Sequence, residues 1–282
     1  TNPAEAIRFA RRARELAPDD AEVALTLGRL AGEAGDHAWA MNLLQEAARK
    51  LGERPDVLLE FAQASYLLGK VEEASQQAQK AMKAAASGPV FDSARQLEGL
   101  IQTYRTPAAG AATEPQLKAL LAANPNHVPA LVAMARLQEQ QNSFDDARDL
   151  YERVLTRAPQ FAPARRQLAL IYAERLKDDR KAYEHAVKAR ESFPTDPLLT
   201  KTLGVLVQRR GDYRYAVQLL QEAGRALPKD GEVYYSLGVA QLQLKQTKEG
   251  TEALTKALEL GPQAAYAADA KRLLSTATPA GR

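Results

Sequence analysis

Three histidines and a few adjacent carboxylates are the residues with which this chain could perform acid–base or metal chemistry. His37, His127 and His185 are far apart in sequence, and none is spaced for a shared metal site. Asp19-Asp20, Glu72-Glu73 and Asp145-Asp146 could share a proton or hold a cation. Each pair, however, lies at a turn or at the start of a helical pattern, where negative charge complements the helix dipole. There is no glycine-rich phosphate loop, no HExxH and no GxSxG elbow. With no cysteine, the chain offers no disulfide, thiolate zinc site or cysteine nucleophile. The expectation is a protein that is not an enzyme, with no catalytic residue, no metal ligand and no cofactor.

The elements behind these residues read as helices. Of 282 residues, 45% are apolar and 26% charged, a folded composition. Alanine occurs 54 times, against six Phe, ten Tyr and one Trp. Alanine favours helices and lets their axes approach closely. The formal charge of +3 is too small and too evenly spread for a nucleic-acid surface. No apolar run approaches the ~18 residues of a membrane span.

The chain repeats itself. Pro125, Pro159, Pro194, Pro228 and Pro262 follow one another at steps of 34, 35, 34 and 34. Small residues fall in register with them: Gly28, Ala62, Ala135, Ala169, Gly204 and Gly238 at one position, Ala40, Ala74, Ala147, Ala182 and Ala216 at a second, Ala47, Ala81, Ala189, Ala223 and Ala257 at a third. Each unit reads as two amphipathic helices, A and B. Turns such as Ala34-Gly35-Asp36 and Arg210-Gly211-Asp212 separate them, with Gly ending A and Asp capping B. One pair cannot bury its apolar face alone, so the pairs must stack.

The Leu-Gly steps Leu27-Gly28, Leu203-Gly204 and Leu237-Gly238, the helix-B alanines and the closing prolines resemble the tetratricopeptide repeat over nearly the whole chain. Bulky helix-A positions depart from that family: where Trp is common, this chain has Ala24, Leu58, Leu131, Arg165, Thr200 and Tyr234. The resemblance implies an all-α fold, an α-solenoid built as a right-handed superhelix of stacked antiparallel helix pairs. Residues 1–275 read as a single array: a partial repeat at 3–20, repeats at 21–54, 55–88, an irregular 89–127, 128–161, 162–196, 197–230 and 231–264, and a capping helix at 265–275. The tail 276–282 is expected to be disordered. The segment 106–115 reads as an insertion in a surface loop, with a hinge between two halves of the solenoid or a loop reaching toward a ligand as the alternative.

In such superhelices helix A lines a concave groove. That places Arg29, Gln63, Tyr66, Arg136, Arg166, Lys201, Gln208, Arg209 and Tyr235 along one channel, net basic in its C-terminal half, with Glu139, Glu174 and Glu232 as counterweights. Trp39 and Tyr215 share a helix-B position and are candidate anchors on the convex face. The family's clamp for acidic chaperone tails needs asparagines where this chain has Thr26, Glu60, Ala133, Gln167, Thr202 and Ser236, so that clamp is not expected. The implied function is a non-catalytic scaffold that binds a peptide or helical segment of a partner protein, one with acidic residues. The alternative is a substrate-recruiting or regulatory arm of a larger enzyme or of a bacterial envelope, secretion or polysaccharide-export assembly. Neither nucleic acid nor direct membrane insertion is expected. The unpartnered helix at 3–17 could support self-association. The chain starts at Thr1 without a leader pattern, so the expectation is a bacterial cytoplasmic or periplasmic protein whose address lay in a missing N-terminus.

Overall fold

The computed structural model describes residues 3–106 and 112–277, and every element among them is helical. The chain divides into two compact units, Thr1–Ala164 and Arg165–Arg282. The division falls inside one helix, Ala162–Ile171, and away from the segment 106–115. Residues 107–111 of that segment and 278–282 of the tail lie outside the described residues, whereas Thr276 and Ala277 close the last helix.

In the N-terminal unit, α1 (Pro3–Leu16) packs on α2 (Ala21–Glu33). Two helix pairs follow, α2 with α3 (His37–Leu51) and α4 (Pro55–Leu67) with α5 (Val71–Ala85). The irregular stretch holds a long α6 (Pro89–Arg105) and a short α7 (Glu114–Ala123); α6 packs on α5 and α8, and α7 on α8 (Val128–Gln140). The pair α8 and α9 (Phe144–Arg157) leads to α10 (Ala162–Ile171). In the C-terminal unit come α11 (Asp179–Ser192), the pairs α12 (Pro197–Arg209) with α13 (Tyr213–Ala226) and α14 (Gly231–Gln243) with α15 (Thr247–Leu260), then α16 (Ala267–Ala277).

The register of small residues is the packing contact itself. A Cβ added to Gly204 would lie 2.9 Å from Leu220 Cγ and 3.2 Å from Leu219 Cβ, so α12 and α13 meet closer than any side chain there permits. Gly28 against Leu44 and Gly238 against Leu254 repeat the contact. The helix-B alanines Ala40, Ala74, Ala147, Ala182 and Ala216 are fully buried. Helix starts are fixed by Asp20, Asp36, Asp178, Asp196, Asp212 and Asp230, whose carboxylates accept backbone N–H bonds of the first turn. His127 does the same for α8, its Nδ1 accepting the Ala130 N–H at 3.2 Å.

Two places depart from the regular repeat. The 35-residue step coincides with a π-turn, Tyr172–Leu176, which extends α10. An i→i+5 turn takes in one residue more than an α-turn, so the extra residue is absorbed within the helix. The turn ends at Lys177 in the left-handed conformation (φ 57°, ψ 34°). The second departure is a long-range contact in the N-terminal unit. Tyr66 of α4 and Phe161, just before α10, are both fully buried with ring centroids 5.3 Å apart. Beside them Gly69 (φ +77°) leaves no room for a Cβ, which would stand 2.9 Å from Pro163 Cδ.

Candidate partner-binding groove

The basic side chains expected to face a partner are engaged within their own units. In the C-terminal unit, Arg166 Nε donates to Asp196 Oδ2 at 2.6 Å, and Lys201 Nζ lies 2.7 Å from Asp230 Oδ2 and 2.9 Å from Glu232 Oε2. Both aspartates are also N-caps: Asp196 accepts the Leu199 N–H at 2.8 Å, and Asp230 those of Glu232 and Val233. The fifth residue of one helix A therefore ties to the cap of the next. Tyr235 occupies the same position, and its hydroxyl donates to Asp269 Oδ2 at 2.9 Å.

Burial and pairing oppose one another here, and pairing wins. Burial alone would raise the Asp196 pKa, yet Arg166 and the Leu199 N–H hold it below the usual carboxylate range. Burial would lower Lys201, but Asp230 and Glu232 raise it above the ordinary lysine value. The Tyr235 phenol is pushed up to about 12 by burial, with Asp269 adding to it.

The remaining expected residues separate by environment. Arg209 pairs with Asp179 at 3.0 Å across an exposed surface. Gln208 is half-buried near the end of α12. In the N-terminal unit, Arg29 reaches Glu60 at 3.0 Å and Asp56 at 3.5 Å. Arg136 pairs with Glu139 at 2.7 Å, and Glu139 also accepts the Tyr151 hydroxyl. Gln63 is exposed, whereas Tyr66 is wholly enclosed and its Oη has no hydrogen-bond partner among the described residues. Trp39 is half-buried against the α2–α3 core with the Arg11 guanidinium 4.7 Å above its ring; Tyr215 is exposed. His185 stacks on Tyr172 at 5.8 Å, and His127 is a helix cap whose pKa burial lowers, so both have packing roles.

A hollow of about 320 Å³ opens in the C-terminal unit where the π-turn faces α12. Its rim carries Arg175, Lys177, Lys201 and Arg209 against Glu174 and Glu232, over a floor of Thr202, Val205 and Leu206. Arg175 and Lys177 escaped the sequence reading, because straight helix geometry does not bring them to this face. The one signal was the 35-residue step. The ion pairs escaped because Asp196 and Asp230 begin the next repeat and were not set against the helix-A cations. A cation recurring 29–30 residues before a capping Asp would have revealed them.

Stacked antiparallel helix pairs, tied A to A by ion pairs and A to B by small residues, define an all-α solenoid protein. Tetratricopeptide-repeat family models match residues 109–171 and 202–265. The chain is a tetratricopeptide-repeat protein. Among solved structures it is similar to YrrB, described as a TPR protein with an unusual peptide-binding site, at 15% identity over 81% of this chain and 97% of that one, TM-score 0.46. It is also similar to MamA AMB-1, at 21% identity over 59% and 97% of the two chains, TM-score 0.48. MamA from Desulfovibrio magneticus RS-1 matches at 20% identity over 53% and 88%, TM-score 0.44. No curated protein matches the sequence. The fold points in general to a scaffold for protein–protein interaction. No helix among the described residues is long and apolar enough to cross a membrane.

Proposed function

We propose that the protein is a non-catalytic scaffold that captures an acidic segment of a partner protein at the hollow beside the π-turn. The observation that carries this reading is the division of the cations around it. Lys201 is held by two carboxylates with only 16% of its side chain exposed, so it is structural. Lys177 is exposed on the rim and makes no ion pair among the described residues. Among the described residues Arg209 pairs with Asp179 alone, with both side chains more than 40% exposed, a pairing worth little in water. An incoming carboxylate can therefore take Lys177 outright and exchange for Asp179 on Arg209. Arginine's planar fork suits a carboxylate better than a point charge would.

The direct test is fluorescence anisotropy with a labelled peptide of alternating glutamate and leucine, titrated with the full chain at several salt concentrations. Saturable binding that weakens with salt supports the reading. Affinity equal to that of a lysine–leucine peptide would contradict it.

A further inference from the structure

The link between α9 and α10 departs from its counterparts in the chain. At four other junctions the residue two places after a proline caps the next helix A with its side chain: Asp20 after Pro18, His127 after Pro125, Asp196 after Pro194 and Asp230 after Pro228. Phe161, two places after Pro159, holds that position before α10, and its side chain has no atom that can accept a backbone N–H. Its ring goes instead to Tyr66 of α4, and both are fully buried. A capping bond is replaced by a long-range aromatic contact.

The link touches the rest of the N-terminal unit at two further places. Its backbone runs against the α4–α5 turn: a Cβ on Gly69 would stand 2.9 Å from Pro163 Cδ and 3.2 Å from the Ala162 nitrogen. Ala158, Pro159 and Gln160 share a hollow of about 160 Å³ with Gly35, Asp36 and His37 of the α2–α3 turn and with Leu67 and Leu68 at the end of α4. The N-terminal unit accordingly ends at Ala164, although α10 runs on to Ile171.

Closure is opposed as well as favoured. Ala158, Phe161 and Ala164 are removed from water, yet the hollow leaves the seam incompletely packed. Tyr66 Oη and His37 Nδ1 are buried with no hydrogen-bond partner among the described residues, and such atoms forfeit their hydration. We propose that residues 158–163 form a strap that opens and closes on the N-terminal unit while its helices stay folded. Opening hydrates Tyr66 and His37 and bares the Tyr66 and Phe161 rings; closing gives up that hydration for the aromatic contact. The strap does not depend on the acidic-segment reading, since all of these residues lie in the other unit.

Native-state hydrogen exchange of the full chain, followed by mass spectrometry from zero to ~1 M urea, tests this. Amides of 66–70 and 158–164 should exchange together, at least about tenfold faster than those inside α2–α5, and with little dependence on urea because opening exposes little surface. Phe161→Asp removes the ring and supplies the missing cap. It should bring both segments to within about tenfold of the unprotected peptide rate, while the interiors of α2–α5 stay protected at least about a hundredfold more. Gly69→Ala should free the strap through its clash with Pro163. Gly35→Ala places an alanine in a similar left-handed turn (φ +88°) with open space around it, and should leave 158–164 within about twofold of the parent. Two results overturn the proposal. One is parent-chain exchange of 158–164 that rises with urea as steeply as that of the helix interiors, so that the strap opens only on unfolding. The other is a folded Phe161→Asp protein whose strap and helix amides are equally protected. The parent-chain measurement decides the matter even where a variant fails to fold.

Discussion

Lys201 Nζ sits 2.7 Å from Asp230 Oδ2 while the same carboxylate caps α14, so a helix-A cation of one repeat holds the first turn of the next. Arg166 and Asp196 repeat this relation one unit earlier. The helix-A face of the C-terminal unit thus stabilises its own stacking with the charges that would otherwise greet a partner. On the proposed reading, affinity comes from the cations left outside that arrangement.

The close A–B contact predicts a steep response to a single methyl group. Gly204→Ala gains up to ~1 kcal/mol in helix propensity. It also drives a Cβ into Leu220, which is fully buried and cannot step aside. Overpacking of this kind costs about 1–3 kcal/mol, so a net loss of stability is expected in urea denaturation. In a Leu220→Ala background the same change should cost less or become favourable. Equal costs in both backgrounds would mean that the two side chains do not compete for the space.

At the long-range contact of the N-terminal unit, ring and hydroxyl should respond in opposite directions. Phe161→Ala should cost about 3–5 kcal/mol, the usual loss for an enclosed phenyl ring. Tyr66→Phe should be neutral or stabilising, because the hydroxyl it removes is buried without a partner among the described residues. A marked loss of thermal stability on Tyr66→Phe would reveal a partner for that hydroxyl.

Two carboxylates should give stability opposite dependences on pH. The folded pKa of Asp196 is depressed, so its contribution is present above the unfolded value of about 3.9 and disappears as pH falls through the lower folded value. Glu60 is raised by burial, which outweighs Arg29, so ionised Glu60 is a cost at neutral pH that protonation relieves. Asp196→Asn, which keeps a capping side chain but loses the charge opposite Arg166, should cost about 1–2 kcal/mol at pH 7, and the difference should vanish in acid. Glu60→Gln should leave stability at pH 7 unchanged or raise it. Thermal denaturation of both variants at a series of pH values checks the signs.

How much of this was legible in the sequence follows from how local each feature is. Gly204 and its register mates announced the A–B contact because both partners lie within one repeat. The 35-residue step marked the π-turn, but nothing local said which way Arg175 and Lys177 would then face. Family geometry predicted Arg166 and Lys201 on the groove side, yet their partners sit one repeat further on, at the caps that open the next helix A. Tyr66 looked available for the same reason: Phe161, which covers it, lies 95 positions away, and no repeat rule relates the two.

The central claim is that inner cations hold the C-terminal unit together while outer cations bind. One paired measurement tests it: melting temperature and affinity for the glutamate–leucine peptide, each on two double variants. Arg166→Gln, Lys201→Gln should lower the melting temperature by several degrees and, below its transition, bind the peptide within about threefold of the parent. Lys177→Glu, Arg209→Glu should melt like the parent and bind at least about tenfold more weakly. If the first pair abolishes binding without destabilising the fold, or the second leaves affinity intact, the division of the groove into structural and binding charges is contradicted.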